Sequence, residues 1–153
     1  MKKLFIYFSL TGNGDLISEK LKDEYEIRKI EMKKRFPKSF FFRVLKGGFL
    51  ASIKAKTKLK DFDENIEDFG EVVIGSPIWN ARFSSPVNTL LSKLNLENKK
   101  VSFVLYSGSG EGPKAIELIK KNYTYDKIII LKEPLKYNEE LDKLNELRST
   151  HNE

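Results

Sequence analysis

Apolar positions along this chain keep switching between two rhythms. Short, nearly continuous apolar runs stand at Leu4 to Phe8, Glu71 to Gly75, Val101 to Tyr106 and Lys127 to Leu131. A weaker one, Glu26 to Ile30, draws its apolar content from Ile27 and Ile30. Runs of this length, rich in Val, Ile and aromatic residues, predict buried strands. Between them the spacing turns helical. Ile17 and Leu21 lie one turn apart in Asp15 to Leu21, and Val87, Leu90, Leu91 and Leu94 follow the i, i+3, i+4, i+7 pattern in Pro86 to Leu94. Pro113 suits the first turn of a helix carrying Ala115, Ile116 and Ile119. Asn138 to Arg148 places Leu141, Leu144 and Leu147 on one side of a final helix.

Strands of this kind alternating with helices imply an α/β fold in which both faces of a parallel sheet are covered. Nothing reads as an internal repeat or a low-complexity linker, so residues 1–153 are expected to form a single domain. In such sheets ligands bind beyond the carboxyl ends of the strands, at the point where strand order reverses. The loops after strands one, three and four are the most ligand-like. With order 2-1-3-4-5 they converge on one edge.

The first of these loops is Ser9-Leu10-Thr11-Gly12-Asn13-Gly14. It joins a strand to a helix start, where unpaired backbone N–H groups can face an anion. Ser9, Thr11 and Asn13 add neutral hydrogen-bonding groups, and Gly12 and Gly14 permit positive φ and close approach. The loop holds no Lys or Arg, and neither GxGxxG nor GxxxxGK[ST] is present, which argues against a dinucleotide site or a P-loop nucleotidase. An ordinary strand-to-helix turn has similar residues. The second loop, Gly75 to Asn88, contains Pro77, Ile78, Trp79, Asn80 and Phe83. Trp79, the one tryptophan, offers a flat surface for an aromatic ligand, with Phe83 as a second; the alternative is a tryptophan that caps a core edge. The third is Ser107-Gly108-Ser109-Gly110-Glu111-Gly112.

These three segments together resemble the flavodoxin-like proteins. Ser9 to Gly14 resembles their phosphate loop, which binds the phosphate of FMN through hydroxyls and amides. A strand followed by Gly75-Ser76-Pro77-Ile78-Trp79 and then Pro86-Val87-Asn88 resembles their flavin-ring loop. Ser107 to Gly112 is similar to the loop that meets the pyrimidine edge. The resemblance implies a flavodoxin-like three-layer sandwich with a five-stranded parallel sheet, order 2-1-3-4-5. It also implies FMN as cofactor, held by Ser9, Leu10, Thr11, Gly12, Asn13, Gly14, Pro77, Ile78, Trp79, Asn80, Phe83, Ser107, Gly108, Gly110 and Gly112. The function implied is electron transfer between donor and acceptor proteins, or reduction of a quinone-like or other small acceptor. Phe36 to Ser39 and Gly47 to Phe49 also resemble a small bacterial subgroup of that family.

Composition changes the picture in two places. No cysteine is present, which excludes disulfides, cysteine-ligated metal and a thiol nucleophile, so redox chemistry requires a bound cofactor. No residue is assigned a catalytic or metal-ligating role. The formal charge is +6, but ten basic and no acidic residues fall between Lys33 and Lys60. Removing those ten from 28 leaves 18 basic against 22 acidic residues, a formal −4 for the remainder. Electron-carrying flavodoxins are strongly acidic, so the basic stretch departs from their pattern. Phe41, Val44, Leu45, Gly48, Phe49 and Ile53 within it recur at helical spacing. That stretch is either a core-packed helix with solvated lysines or a surface for an acidic partner, anionic lipid or nucleic acid. A non-enzymatic module that binds such a partner without flavin is therefore the alternative to a redox protein.

Other chemistries fit less well. A receiver domain needs acidic residues at the strand ends, where this chain has Ser9, Ser76 and Ser107. The sole histidine, His151, lies in the C-terminal tail, away from any triad. Arg82 in the ring loop would favour an anionic reduced flavin if it reached the N1/O2 edge, and otherwise points to solvent. Glu111 reads as a solvated loop carboxylate. No apolar stretch is long enough to span a membrane, and a cytoplasmic location is expected.

Overall fold

The computed structural model describes residues 1–33 and 58–149. The helix expected within Phe41 to Ile53 and the tail carrying His151 lie outside them. Among the described residues six strands are formed: β1 (Lys2–Tyr7), β2 (Glu26–Lys29), β3 (Phe69–Trp79), β4 (Arg82–Phe83), β5 (Lys100–Ser107) and β6 (Lys127–Lys132). Helices α1 (Asn13–Leu21), α2 (Ser85–Lys93) and α3 (Pro113–Asn122) alternate with them, and a 3-10 helix (Asn138–Arg148) closes the described chain. The sheet runs β2-β1-β3-β5-β6, all parallel, with β4 paired to β3 alone. Setting β4 aside, this is the expected order 2-1-3-4-5.

Alternation along each strand splits the core in two. Leu4, Ile6, Phe8, Val72, Ile74, Phe103 and Leu105 face α2 and α3, packing with Val87, Leu90, Ala115 and Ile119. Phe5, Tyr7, Val73, Val104, Tyr106 and Leu131 face the other way, against Ile17 and Leu21 of α1 and the leucines of the 3-10 helix. A parallel sheet buried on both faces accounts for the unbroken apolar runs in the sequence.

Two elements differ from the sequence reading. Residues Ser76 to Trp79, expected as loop, continue β3: Ser76 and Pro77 stay in register with Leu105 and Tyr106 of β5. Ile78 and Trp79 then turn back antiparallel on Phe83 and Arg82. The hairpin turns at Asn80 and Ala81, both at positive φ (51° and 62°), the signature of the tight turn that matches strand twist. The final helix is 3-10 in geometry. Leu141, Leu144 and Leu147 recur every third residue, so three residues per turn stacks them on one line, and all three are buried. Lys127 anchors its end, donating from Nζ to the carbonyls of Glu146 and Ser149.

The described ends of the basic segment meet each other. Lys33 N–H donates to the Lys58 carbonyl at 3.0 Å and Lys60 N–H to that of Glu31 at 2.8 Å. Lys60 also pairs with Glu31 at 3.1 Å. This junction follows the carboxyl end of β2, the same edge of the sheet on which the ligand-like loops lie.

Candidate functional site

The β1–α1 loop holds its shape from within. Gly12, at φ 101°, stands just before α1 in a conformation that only glycine adopts without strain. A helix start leaves four backbone N–H groups without intrahelical acceptors, here those of residues 12 to 15. Ser9 Oγ accepts two of them, from Gly12 at 3.2 Å and Gly14 at 3.0 Å. The amides of Asn13 and Asp15 remain in the first turn for an anion, and Thr11 is exposed beside them. Gly14 is required by packing: a Cβ there would lie 2.7 Å from both the Tyr106 hydroxyl and Tyr7 Cδ2.

Behind the loop runs a chain of polar groups. Tyr7 donates to Asp15 at 2.7 Å, and Lys29 pairs with the same carboxylate at 2.9 Å. Burial works to raise the Asp15 pKa, but the bonds from Tyr7 and Lys29 and the Lys29 charge outweigh it and hold the carboxyl below its ordinary value. Tyr7 is pushed up to about 12, first by burial and then by the neighbouring carboxylate. Tyr106 donates to the Phe8 carbonyl, tying β5 to the loop, and its complete burial drives the phenol well above its ordinary range. Asp15 therefore faces the anion loop with its charge already matched by Lys29.

A cavity of about 460 Å³ opens between this loop and the carboxyl ends of β3, β5 and β6. Leu10, Thr11 and Asn13 line it from the first loop, Pro77, Ile78, Trp79 and Asn80 from the β3 end, and Ser107 and Gly108 from the β5 end. Nine of the residues expected from sequence thus meet at one cavity. Ser9, Gly12 and Gly14 shape its first loop without lining it. Phe83, Gly110 and Gly112 stand apart. Phe83 is 1% exposed and packs on Phe103 at 5.8 Å, because the β3–β4 hairpin turns it into the core. Gly110, at φ 76°, turns against Lys132, and Gly112 backs onto Ile78. Trp79 reaches the cavity wall but is only 2% exposed, edge-on to Phe8 at 5.9 Å. Its position gives proximity to a ligand with little free ring face. Arg82 lines a separate cavity of about 380 Å³ with Lys114 and Lys121, away from the first.

Sequence reasoning missed the fourth wall. Glu133, Leu135 and Lys136, after β6, complete the cavity together with Tyr106. The Leu135 N–H donates to Asn13 Oδ1 at 3.1 Å, so the Asn13 side chain is engaged in joining two loops. The sequence offered only the Pro134-Leu135 pair after the last strand as a sign; in the fold Leu135 is 55% exposed.

The arrangement of sheet, helices and loops is shared with known structures. A proposed flavoprotein from Bacteroides eggerthii matches with a TM-score of 0.77 at 21% identity, over 97% of this chain and 99% of its own. A flavoprotein from Lactobacillus acidophilus, solved in complex with FMN, matches with a TM-score of 0.64 at 16% identity, covering 90% and 97%. Oxidised flavodoxin 1 from Bacillus cereus matches with a TM-score of 0.50 at 13% identity, covering 98% and 99%. The fold is flavodoxin-like. No family model matches the chain, and no curated protein does either. Within the flavodoxin-like frame, the cavity lies where strand order reverses, outside the carboxyl ends of β1 and β3. Among the described residues no helix is long and apolar enough to cross a membrane.

Proposed function

We propose that this chain is a single-domain, FMN-binding redox protein of the cytoplasm. The observation that carries the proposal is the cavity bounded at one end by a helix start able to accept an anion and elsewhere by apolar and aromatic side chains with a few polar ones, Asn80, Ser107, Glu133 and Lys136, among them. Two first-turn amides and the Thr11 hydroxyl suit a phosphate, and about 460 Å³ lies within the range of small-molecule sites. The Lactobacillus acidophilus protein of the same fold was solved with FMN, which supports the choice of cofactor. Ser9 to Gly14 would hold the phosphate, while Pro77 to Asn80 and Ser107 to Gly108 would flank the ring. A bound flavin supplies hydride and electron transfer, and the protein contributes binding, orientation and tuning.

The cysteine-free chain then exchanges electrons with partner proteins or with a quinone-like or other small acceptor through the flavin. Segregated charge favours an acidic partner at the basic segment, whose described ends lie on the cavity edge of the sheet. The test is a titration of the purified protein with FMN and with riboflavin, followed by absorption. FMN is expected to bind one per chain, and riboflavin, lacking the phosphate, much more weakly. Equal affinities would remove the phosphate from the β1–α1 loop.

A further inference from the structure

The β1–α1 loop, Ser9 to Gly14, offers neutral groups alone, yet a cation lines the same cavity. The segment after β6 crosses the mouth of the cavity from one end to the other. Glu133 begins the crossing at the β5 side, where its Oε1 would lie 3.8 Å from a Cβ on Gly108. Leu135 ends it at the β1–α1 loop: its amide is bonded to Asn13 Oδ1 at 3.1 Å, and its Cδ1 would lie 3.4 Å from a Cβ on Gly12. Lys136 comes next and lines the same cavity, the one cation among its described lining residues as Glu133 is the one anion. Its ammonium lies 5.4 Å from the Tyr137 ring centre, and among the described residues no carboxylate pairs with it. Glu133 thus stands at the β5 end of the cavity, and Lys136 directly follows the residue fastened to the β1–α1 loop.

We infer that Lys136 is the cationic partner of the ligand's phosphate, carried in from the segment after β6 because the β1–α1 loop has no cation of its own. The inference rests on the FMN reading and adds a specificity residue to it. The Asn13–Leu135 bond fastens the residue before Lys136 to the loop, so the phosphate would be met by the loop's amides and by the ammonium together. A charged donor to phosphate is stronger than a neutral one and makes binding depend on ionic strength.

The experiment compares FMN and riboflavin affinities of the native chain with those of Lys136→Gln, Lys136→Arg and Lys132→Gln. Lys132 is the control, since its ammonium sits over the same Tyr137 ring at 5.1 Å but outside the cavity lining. Lys136→Gln is expected to weaken FMN roughly tenfold, leave riboflavin unchanged and flatten the salt dependence of FMN binding. Lys136→Arg retains native behaviour, as does Lys132→Gln. A native chain that prefers FMN over riboflavin, with Lys136→Gln indistinguishable from it, overturns the role of Lys136 and leaves the cofactor reading standing. Equal weakening of both flavins by Lys136→Gln also overturns it, because the contact would then be with the ring. No FMN binding by the native chain defeats both readings together.

Discussion

Gly14 lies so close under Tyr106 that a Cβ on the glycine would stand 2.7 Å from the phenol oxygen. That oxygen is fully buried and donates to the Phe8 carbonyl, so it has no room to retreat. Helix α1, the anion loop and β5 are therefore locked at one point. Gly14→Ala is expected to destabilise the protein by about 1–3 kcal/mol through overpacking and to weaken FMN binding by displacing the first-turn amides. Denaturant unfolding and flavin titration of the same variant measure the two effects.

Thr11→Val removes one hydroxyl from the exposed rim of the anion loop and changes little else. FMN affinity is expected to fall by about 1 kcal/mol, the worth of one hydrogen bond, with riboflavin affinity unchanged. Calorimetry with both flavins checks this.

Trp79 provides a built-in reporter, being the sole tryptophan. Because it lines the cavity, its emission is expected to fall sharply as FMN binds. Its burial makes Trp79→Ala costly, about 3–5 kcal/mol of stability, so Trp79→Phe is the cleaner probe of ring contact. Unchanged emission on saturation with FMN would place the flavin elsewhere.

Two groups beside the anion loop give opposite pH limits. Asp15 has a depressed pKa in the folded protein, so its contribution is present above the ordinary value of 3.8 and is lost as pH falls below it. Asp15→Asn should flatten that acid limb. Tyr7 is raised from 10.0 to about 12, so the folded state holds its proton longer than the unfolded chain. Its contribution is full below pH 10.0 and disappears as pH rises through about 12. Tyr25, Tyr106 and Tyr123 are raised as well, chiefly by burial. Alkaline titration of tyrosinate absorbance should therefore show a late group of phenols that ionises together with unfolding, and not before it.

Replacing Lys54, Lys56, Lys58 and Lys60 with serine should slow electron transfer to an acidic partner at low salt while leaving FMN affinity nearly intact. Stopped-flow rates across a salt series measure it. Rates equal to the native ones at every ionic strength would reduce the segment to solvated charge.

The chain's own pattern located the strands and helices because parallel strands buried on both faces leave continuous apolar runs, while the sheet order followed from the resemblance to flavodoxin-like proteins. It left the β3–β4 hairpin unread for a specific reason: the turn is Asn80-Ala81, and alanine at positive φ carries none of the usual Asn-Gly signal. The same hairpin explains Phe83, an aromatic that reads as ligand-facing in a loop and becomes core once its strand pairs back on β3. In the final helix, leucines spaced by three suit one face of an α-helix as well as a 3-10 helix, so the 3-10 geometry was not legible from spacing alone. Glu133, Leu135 and Lys136 were hidden because their role depends on where β6 ends relative to β1, a distance in space that local spacing does not carry.

Ser9 sets the shape of the β1–α1 loop from within, so on the FMN reading its phosphate site is formed before the ligand arrives. Its hydroxyl gathers the amides of Gly12 and Gly14 from inside the curve, so the backbone need not be ordered by the incoming phosphate. Preorganisation of this sort lets more of the contact energy appear as affinity. On that reading arrival would not wait on loop rearrangement, and substitutions around the loop should act mainly on how long the cofactor stays.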